Sequence, residues 1–146
     1  MAKALIVYAS RTDGTRKIAD LVSEGIRSEG AKTEVVNANK IKKEADLDGY
    51  DAYVFGSATY HGEMMQGMKT MLFLADKASL EGKVGGAFGA YGWSGEAPVR
   101  IFDTMKNIFK MDMVNESLRL NTASLGGGTH AAQDYGRDVG RKLNPS

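Results

Sequence analysis

Short runs of consecutive apolar residues alternate along this chain with longer stretches in which apolar residues recur every three or four positions. The first run, Ala4-Leu5-Ile6-Val7-Tyr8, is near-continuously apolar, which predicts a strand covered on both faces. Residues 15–29 place Ile18, Leu21, Val22 and Ile26 on one helical face, and Gly30 ends that helix. Residues 33–37 and the strongly apolar 52–56 read as the second and third strands. The fourth, 84–90, is thinned by Gly85, Gly86 and Gly89, so something packs close to its backbone. Residues 113–120 read as the fifth. Helices are predicted at 66–77, with Met68, Met71 and Leu72 inward, at 96–109, with Pro98 in its first turn, and at 130–143. The polar stretch 39–49 leaves room for only a turn or two of helix.

Strands that alternate with helices predict an α/β fold: a parallel sheet with helices on both faces. Right-handed crossovers favour a doubly wound, five-stranded sheet of order 2-1-3-4-5. In such a sheet a ligand lies beyond the carboxyl ends of the strands, where the winding reverses between strands one and three. Function is therefore sought in the loops after strands one, three and four.

Composition narrows the chemistry. The 146 residues, 42% hydrophobic and 25% charged, suit one globular domain spanning 1–146. There is no cysteine, so disulfides, thiolate nucleophiles, iron–sulfur clusters and cysteine–zinc sites are excluded together. Two histidines, His61 and His130, are too few for a histidine-rich metal site. Lys plus Arg number 19 against 18 Asp plus Glu, a balance without a nucleic-acid footprint. The apolar run near the N-terminus is too short for a signal or membrane segment, which makes a cytoplasmic location the expectation and a membrane partner not one.

The first loop, Ser10-Arg11-Thr12-Asp13-Gly14-Thr15, sets hydroxyls and a glycine at a helix start. Free backbone N–H groups and the helix dipole favour an anion there. The same residues also make an ordinary helix cap. The second loop, Ser57-Ala58-Thr59-Tyr60-His61-Gly62, leaves the third strand with small residues, an aromatic and a glycine. The third, Gly89-Ala90-Tyr91-Gly92-Trp93-Ser94-Gly95-Glu96, places the only tryptophan among glycines. Aromatics there suit a flat ring stacked from the side; the alternative is that Trp93 packs on a neighbouring helix. Together the loops offer a phosphate cradle and aromatic walls at one end of one sheet.

On these residues the chain resembles the flavodoxin family over its whole length. Val7-Tyr8-Ala9-Ser10-Arg11-Thr12-Asp13-Gly14-Thr15, with Ala19 following, is similar to the family's opening signature. Phe88-Gly89-Ala90-Tyr91-Gly92-Trp93-Ser94-Gly95-Glu96-Ala97 most closely resembles the flavodoxin domain of flavodiiron proteins. Asp13 departs from the pattern, standing where the family has glycine, with Gly14 one position later. The resemblance implies one non-covalently bound FMN. Ser10, Thr12, Gly14 and Thr15, with amides of Arg11 and Asp13, would hold its phosphate. Ala58, Thr59, Tyr60, His61 and Gly62 would edge the N5 side of the ring. Ala90, Tyr91, Gly92, Trp93, Ser94 and Gly95 would line the pyrimidine side. It also implies that the peptide after His61 turns over on reduction, which favours glycine at the first turn position, whereas here glycine comes second.

The function so implied is electron transfer: shuttling low-potential electrons between protein redox partners, with no catalytic residue of its own. The alternative is a small FMN-dependent NAD(P)H:quinone oxidoreductase. A response-regulator receiver shares the sheet but needs acidic residues where this chain has Ala9-Ser10 and Gly56-Ser57. The diiron-binding half of a flavodiiron protein lies outside this sequence. Met64, Met65, Met68 and Met71 are read as core, His130 as a neighbour of a helix cap, and Lys40, Lys42 and Lys43 as a solvated face.

Overall fold

The computed structural model describes residues 2–9, 13–60, 63–91, 96–121 and 129–143. In chain order the elements are β1 (Lys3–Ala9), α1 (Asp13–Ser28), β2 (Lys32–Asn37), β3 (Ala52–Ser57), β4 (Thr59–Tyr60), β5 (Glu63–Met64), α2 (Gln66–Lys77), β6 (Val84–Tyr91), α3 (Glu96–Asn107), β7 (Asp112–Met113), β8 (Leu118–Asn121) and α4 (Thr129–Leu143). Two 3-10 turns, Ala38–Lys40 and Glu44–Leu47, occupy the polar stretch before β3. The main sheet runs β2-β1-β3-β6-β7, with β8 also on β6, and every pairing in it is parallel. This is the expected 2-1-3-4-5 order, with β6 as the fourth strand and β7 and β8 sharing the fifth place.

Strand residues alternate between two cores, because successive side chains point to opposite faces. Leu5, Val7, Tyr53, Phe55 and Ala87 pack on one face with α2 and α3. Ala4, Ile6, Ala52, Val54 and Phe88 pack on the other with α1 and α4. Ile6, opposite both Val35 and Val54, is fully buried, which is why the run reads as continuous and not alternating. The methionines among the described residues all belong to the first core: Met68, Met71, Met105 and Met111 are buried, and Met64, Met65 and Met113 pack against it. A side chain at Gly85 would meet Met113 Sδ at 2.7 Å, so the glycine makes room for that cluster.

The fifth strand departs from expectation. Residues 113–120 do not form one strand: β7 pairs with Val84 and Gly85, the Val114 N–H still donates to the Gly85 carbonyl at 2.9 Å, residues 115–117 pair with no strand, and β8 begins opposite Phe88. Asn115 adopts a left-handed φ of 41°, and its amide donates to Asp138 of α4 at 2.7 Å. The gap beside Gly86 and Ala87 is filled from α4. The Ala87 N–H donates to the Tyr135 hydroxyl at 3.0 Å. A Cβ on Gly86 would lie 3.1 Å from that hydroxyl, so glycine permits the ring's approach. Burial pushes the Tyr135 hydroxyl well above the ordinary tyrosine range.

Smaller differences lie at element ends. α1 begins at Asp13, two residues earlier than the hydroxyl pattern implied, because an acidic residue is favoured in a first helical turn. α3 stops at Asn107: Lys110 takes a left-handed φ of 58°, and the Ile108 and Phe109 amides both return to the Thr104 carbonyl. The antiparallel pair β4–β5 was not anticipated. Among the described residues no helix is long and apolar enough to cross a membrane.

Candidate functional site

The carboxyl ends of β1, β3, β6 and β8 open on one edge of the sheet, and bonds between their flanking segments tie the three loops together. The Ala58 N–H donates to the Ala9 carbonyl at 3.2 Å, fastening the exit of β3 to the exit of β1. Ser57, fully buried, donates through Oγ to the Ala58 carbonyl at 2.9 Å and accepts from the Met65 N–H at 2.9 Å. One hydroxyl therefore closes the base of the β4–β5 hairpin. The Ala97 N–H, in the first turn of α3, donates to Thr59 Oγ1 at 3.2 Å, so the second loop caps the helix that follows the third. A Cβ at Gly89 would fall 2.4 Å from the Ser57 carbonyl oxygen and 2.9 Å from Pro98 Cδ. The ends of β3, β6 and α3 meet there at backbone contact.

Of the expected phosphate cradle, Ser10, Arg11 and Thr12 lie outside the described residues. Asp13, Gly14 and Thr15 are the first three residues of α1. The first N–H groups of a helix have no intrahelical acceptor, and with the helix dipole they favour an anion. Thr15 is 1% exposed, a polar side chain sealed into the helix start. Of the second loop, Ala58, Thr59 and the Tyr60 backbone are described; His61 and Gly62 are not. Of the third, Ala90 and Tyr91 belong to β6, paired with Leu120 and Asn121; the strand runs through Ala90 as expected and one residue further, to Tyr91. Gly92, Trp93, Ser94 and Gly95 lie outside the described residues. Beside this end, Glu96, Val99, Arg100 and Arg119 line a cleft of about 240 Å³.

The residues that the sequence reading left out are positional. Ser57 carried a signal, a hydroxyl closing an otherwise apolar strand. Arg119 did not, because its place beside the site depends on β8 pairing with Gly89. His130 is exposed on the first turn of α4, and no group of three or more His, Cys, Asp or Glu among the described residues could hold a metal ion. Lys40, Lys42 and Lys43 are exposed; the amides of the latter two donate to Asp46, which holds that carboxyl below its usual range.

Comparison with known proteins places this geometry. The flavodoxin family profile matches residues 6–134. "Type A flavoprotein fprA" of Rhodobacter capsulatus is 31% identical over 144 residues, 95% of this chain and 32% of that protein. A protein named "NAD(P)H dehydrogenase (quinone)", of Methylocella silvestris, is 29% identical over 150 residues, 86% of this chain and 75% of its own length. Among solved structures, a flavodoxin from the domain Archaea superposes with a TM-score of 0.90 at 29% identity, covering 97% of this chain and 98% of the other. The flavodiiron protein of Giardia intestinalis shares the fold at 24% identity and a TM-score of 0.87, over 96% of this chain and 36% of its own. The chain spans between 17 and 32% of the length of the first curated relatives that it matches. With the sheet order, the structural likeness and the profile match in agreement, the chain belongs to the flavodoxin family, whose cofactor is FMN and whose general role is electron transfer.

Proposed function

We propose that this chain is a one-electron carrier that binds a single FMN across the three loops and passes low-potential electrons between larger redox proteins. Bound FMN supplies the redox centre, and the polypeptide supplies binding and orientation. The N–H groups of Asp13, Gly14 and Thr15 and the loop amide of Arg11 would hold its phosphate, and hydroxyls of Ser10, Thr12 and Thr15 would complete the cradle. Residues 58–62 and 90–95 would flank the ring, and Trp93 or Tyr91 would supply the stacking face. The Thr59–Ala97 bond and the close contacts at Gly89 tie the start of the second loop to the start of α3, which would give the ring a preformed slot.

The observation that carries the carrier reading is the likeness to an archaeal flavodoxin at 29% identity, which covers nearly all of both chains. A specific observation also favours a second reading: the relative named as a quinone dehydrogenase spans 86% of this chain. A carrier and a reductase differ in turnover. The FMN-loaded chain, reduced photochemically, is expected to reduce one-electron protein acceptors rapidly. Mixed with NAD(P)H and a quinone, it is expected to show almost no steady-state oxidation. Sustained NAD(P)H-dependent quinone reduction would replace the carrier with the reductase.

A further inference from the structure

Along the outer side of α2, Lys69, Leu72, Phe73 and Asp76 follow one another at helical spacing and form one stripe. All four line a groove of about 330 Å³ between α2 and α3, whose far wall includes Ile108 and Phe109. Phe73 is 74% exposed and Ile108 62%, while Leu72 and Phe109 beneath them are buried. A lone exposed apolar residue needs no explanation, but two flanking an apolar groove make a contiguous patch. Knob and hole lie on the same surface.

The order of charges along the stripe says what fits it. Lys69 stands three residues before Leu72, and Asp76 stands three after Phe73. A twofold axis passing between Leu72 and Phe73 therefore sets Phe73 of one copy against Leu72 of another, and Lys69 against Asp76 at both ends. A surface that complements itself under a twofold rotation is the requirement for an isologous interface. It also has the expected make-up, an apolar centre with a charged rim. We propose that two copies of this chain associate through α2, packed antiparallel, each Phe73 entering the other's groove and two Lys69–Asp76 pairs closing the ends. Ile108 and Phe109 follow the C-terminus of α3, at the opposite end of the sheet from the strands' carboxyl termini. The groove's other end is lined by Met64 of β5, beside the second loop. The proposal does not depend on the carrier reading.

Sedimentation velocity between roughly 1 and 500 µM, a span that brackets weak association, tests this directly. The mass is expected to rise with concentration from the 15.7 kDa of one chain towards twice that value. Phe73→Lys, at an exposed position, is expected to stay monomeric throughout with an unchanged unfolding midpoint. Lys69→Glu and Asp76→Lys each place like charges opposite one another twice, and each is expected to weaken the dimer by about tenfold or more. The double variant Lys69→Glu/Asp76→Lys restores opposite charges and is expected to recover the dimer. A chain that remains monomeric throughout overturns the proposal. So does a dimer indifferent to Phe73→Lys, or a double variant that associates no better than the single ones.

Discussion

Where the edge strand breaks, one hydroxyl replaces the missing ladder, and removing it isolates its contribution. Tyr135→Phe keeps the buried ring and its packing but deletes the acceptor of the Ala87 N–H, at 3.0 Å in the middle of β6. Ala87 is fully buried, so its amide is left without a partner, at a cost of ~1–3 kcal/mol. Against a stability of ~5–15 kcal/mol for an ordinary domain, that is a measurable fraction. Urea unfolding of the FMN-free protein is expected to show a lower midpoint and an unchanged slope. A second signature comes from pH. In the folded chain burial keeps the Tyr135 hydroxyl protonated well above the ordinary range, whereas in the unfolded chain it ionises near pH ~10. Above that pH the unfolded state binds fewer protons than the folded one. The stabilisation linked to this group is therefore complete below pH ~10 and is lost as pH rises towards the folded-state value, by ~1.4 kcal/mol per unit. Tyr135→Phe removes that dependence, so the gap between parent and variant narrows in alkaline solution. Equal urea midpoints at neutral pH, or a gap that stays constant above pH ~10, would refute the role given to this hydroxyl.

Other expectations follow from the same contacts. Gly136→Ala would place a Cβ 2.0 Å from the Val22 carbonyl oxygen, where α4 crosses α1, and is expected to destabilise by ~1–3 kcal/mol or more. Helix propensity alone predicts a gain of ~1 kcal/mol, so the sign of the change in a thermal melt decides between them. Thr59→Val removes the acceptor of the Ala97 N–H, and isothermal titration is expected to show weaker FMN binding by ~1 kcal/mol, with unchanged affinity counting against the preformed slot. The order His61-Gly62 disfavours the turned-over peptide by ~1–2 kcal/mol, so spectroelectrochemistry is expected to find the two one-electron potentials close together. The exchange His61→Gly/Gly62→Asp is expected to separate them, and widely spaced potentials in the parent protein would defeat the turn argument.

The fold was legible wherever one signal dominated. The near-continuous run around Ile6 marked a doubly covered strand, and α2 was bounded correctly because helical spacing and polar ends coincide at Gln66 and Lys77. The tight contacts at Gly85, Gly86 and Gly89 were legible as glycine in a strand, although not which neighbours fill them. Legibility failed where a distant group competes for the backbone. Nothing local in Val114-Asn115-Glu116-Ser117 reveals that Tyr135, in α4, supplies the acceptor that lets the edge strand open. That the strand ends before the three loops and the start of α1 share one edge of the sheet was legible from the strand order. The cross-links made by Ser57 and Thr59 were not, because a hydroxyl's partner depends on which loop it meets.

The central claim is that the carboxyl edge of the sheet holds a flavin by its phosphate, at the start of α1. A titration of the flavin-free chain with FMN and, separately, with riboflavin tests it most directly, since the two differ only in that phosphate. One FMN per chain is expected, bound at least ~100-fold more tightly than riboflavin, because two charge-assisted hydrogen bonds of ~1.5–3 kcal/mol each are lost with the phosphate. Equal affinity for the two, or no saturable binding of FMN, would contradict the account.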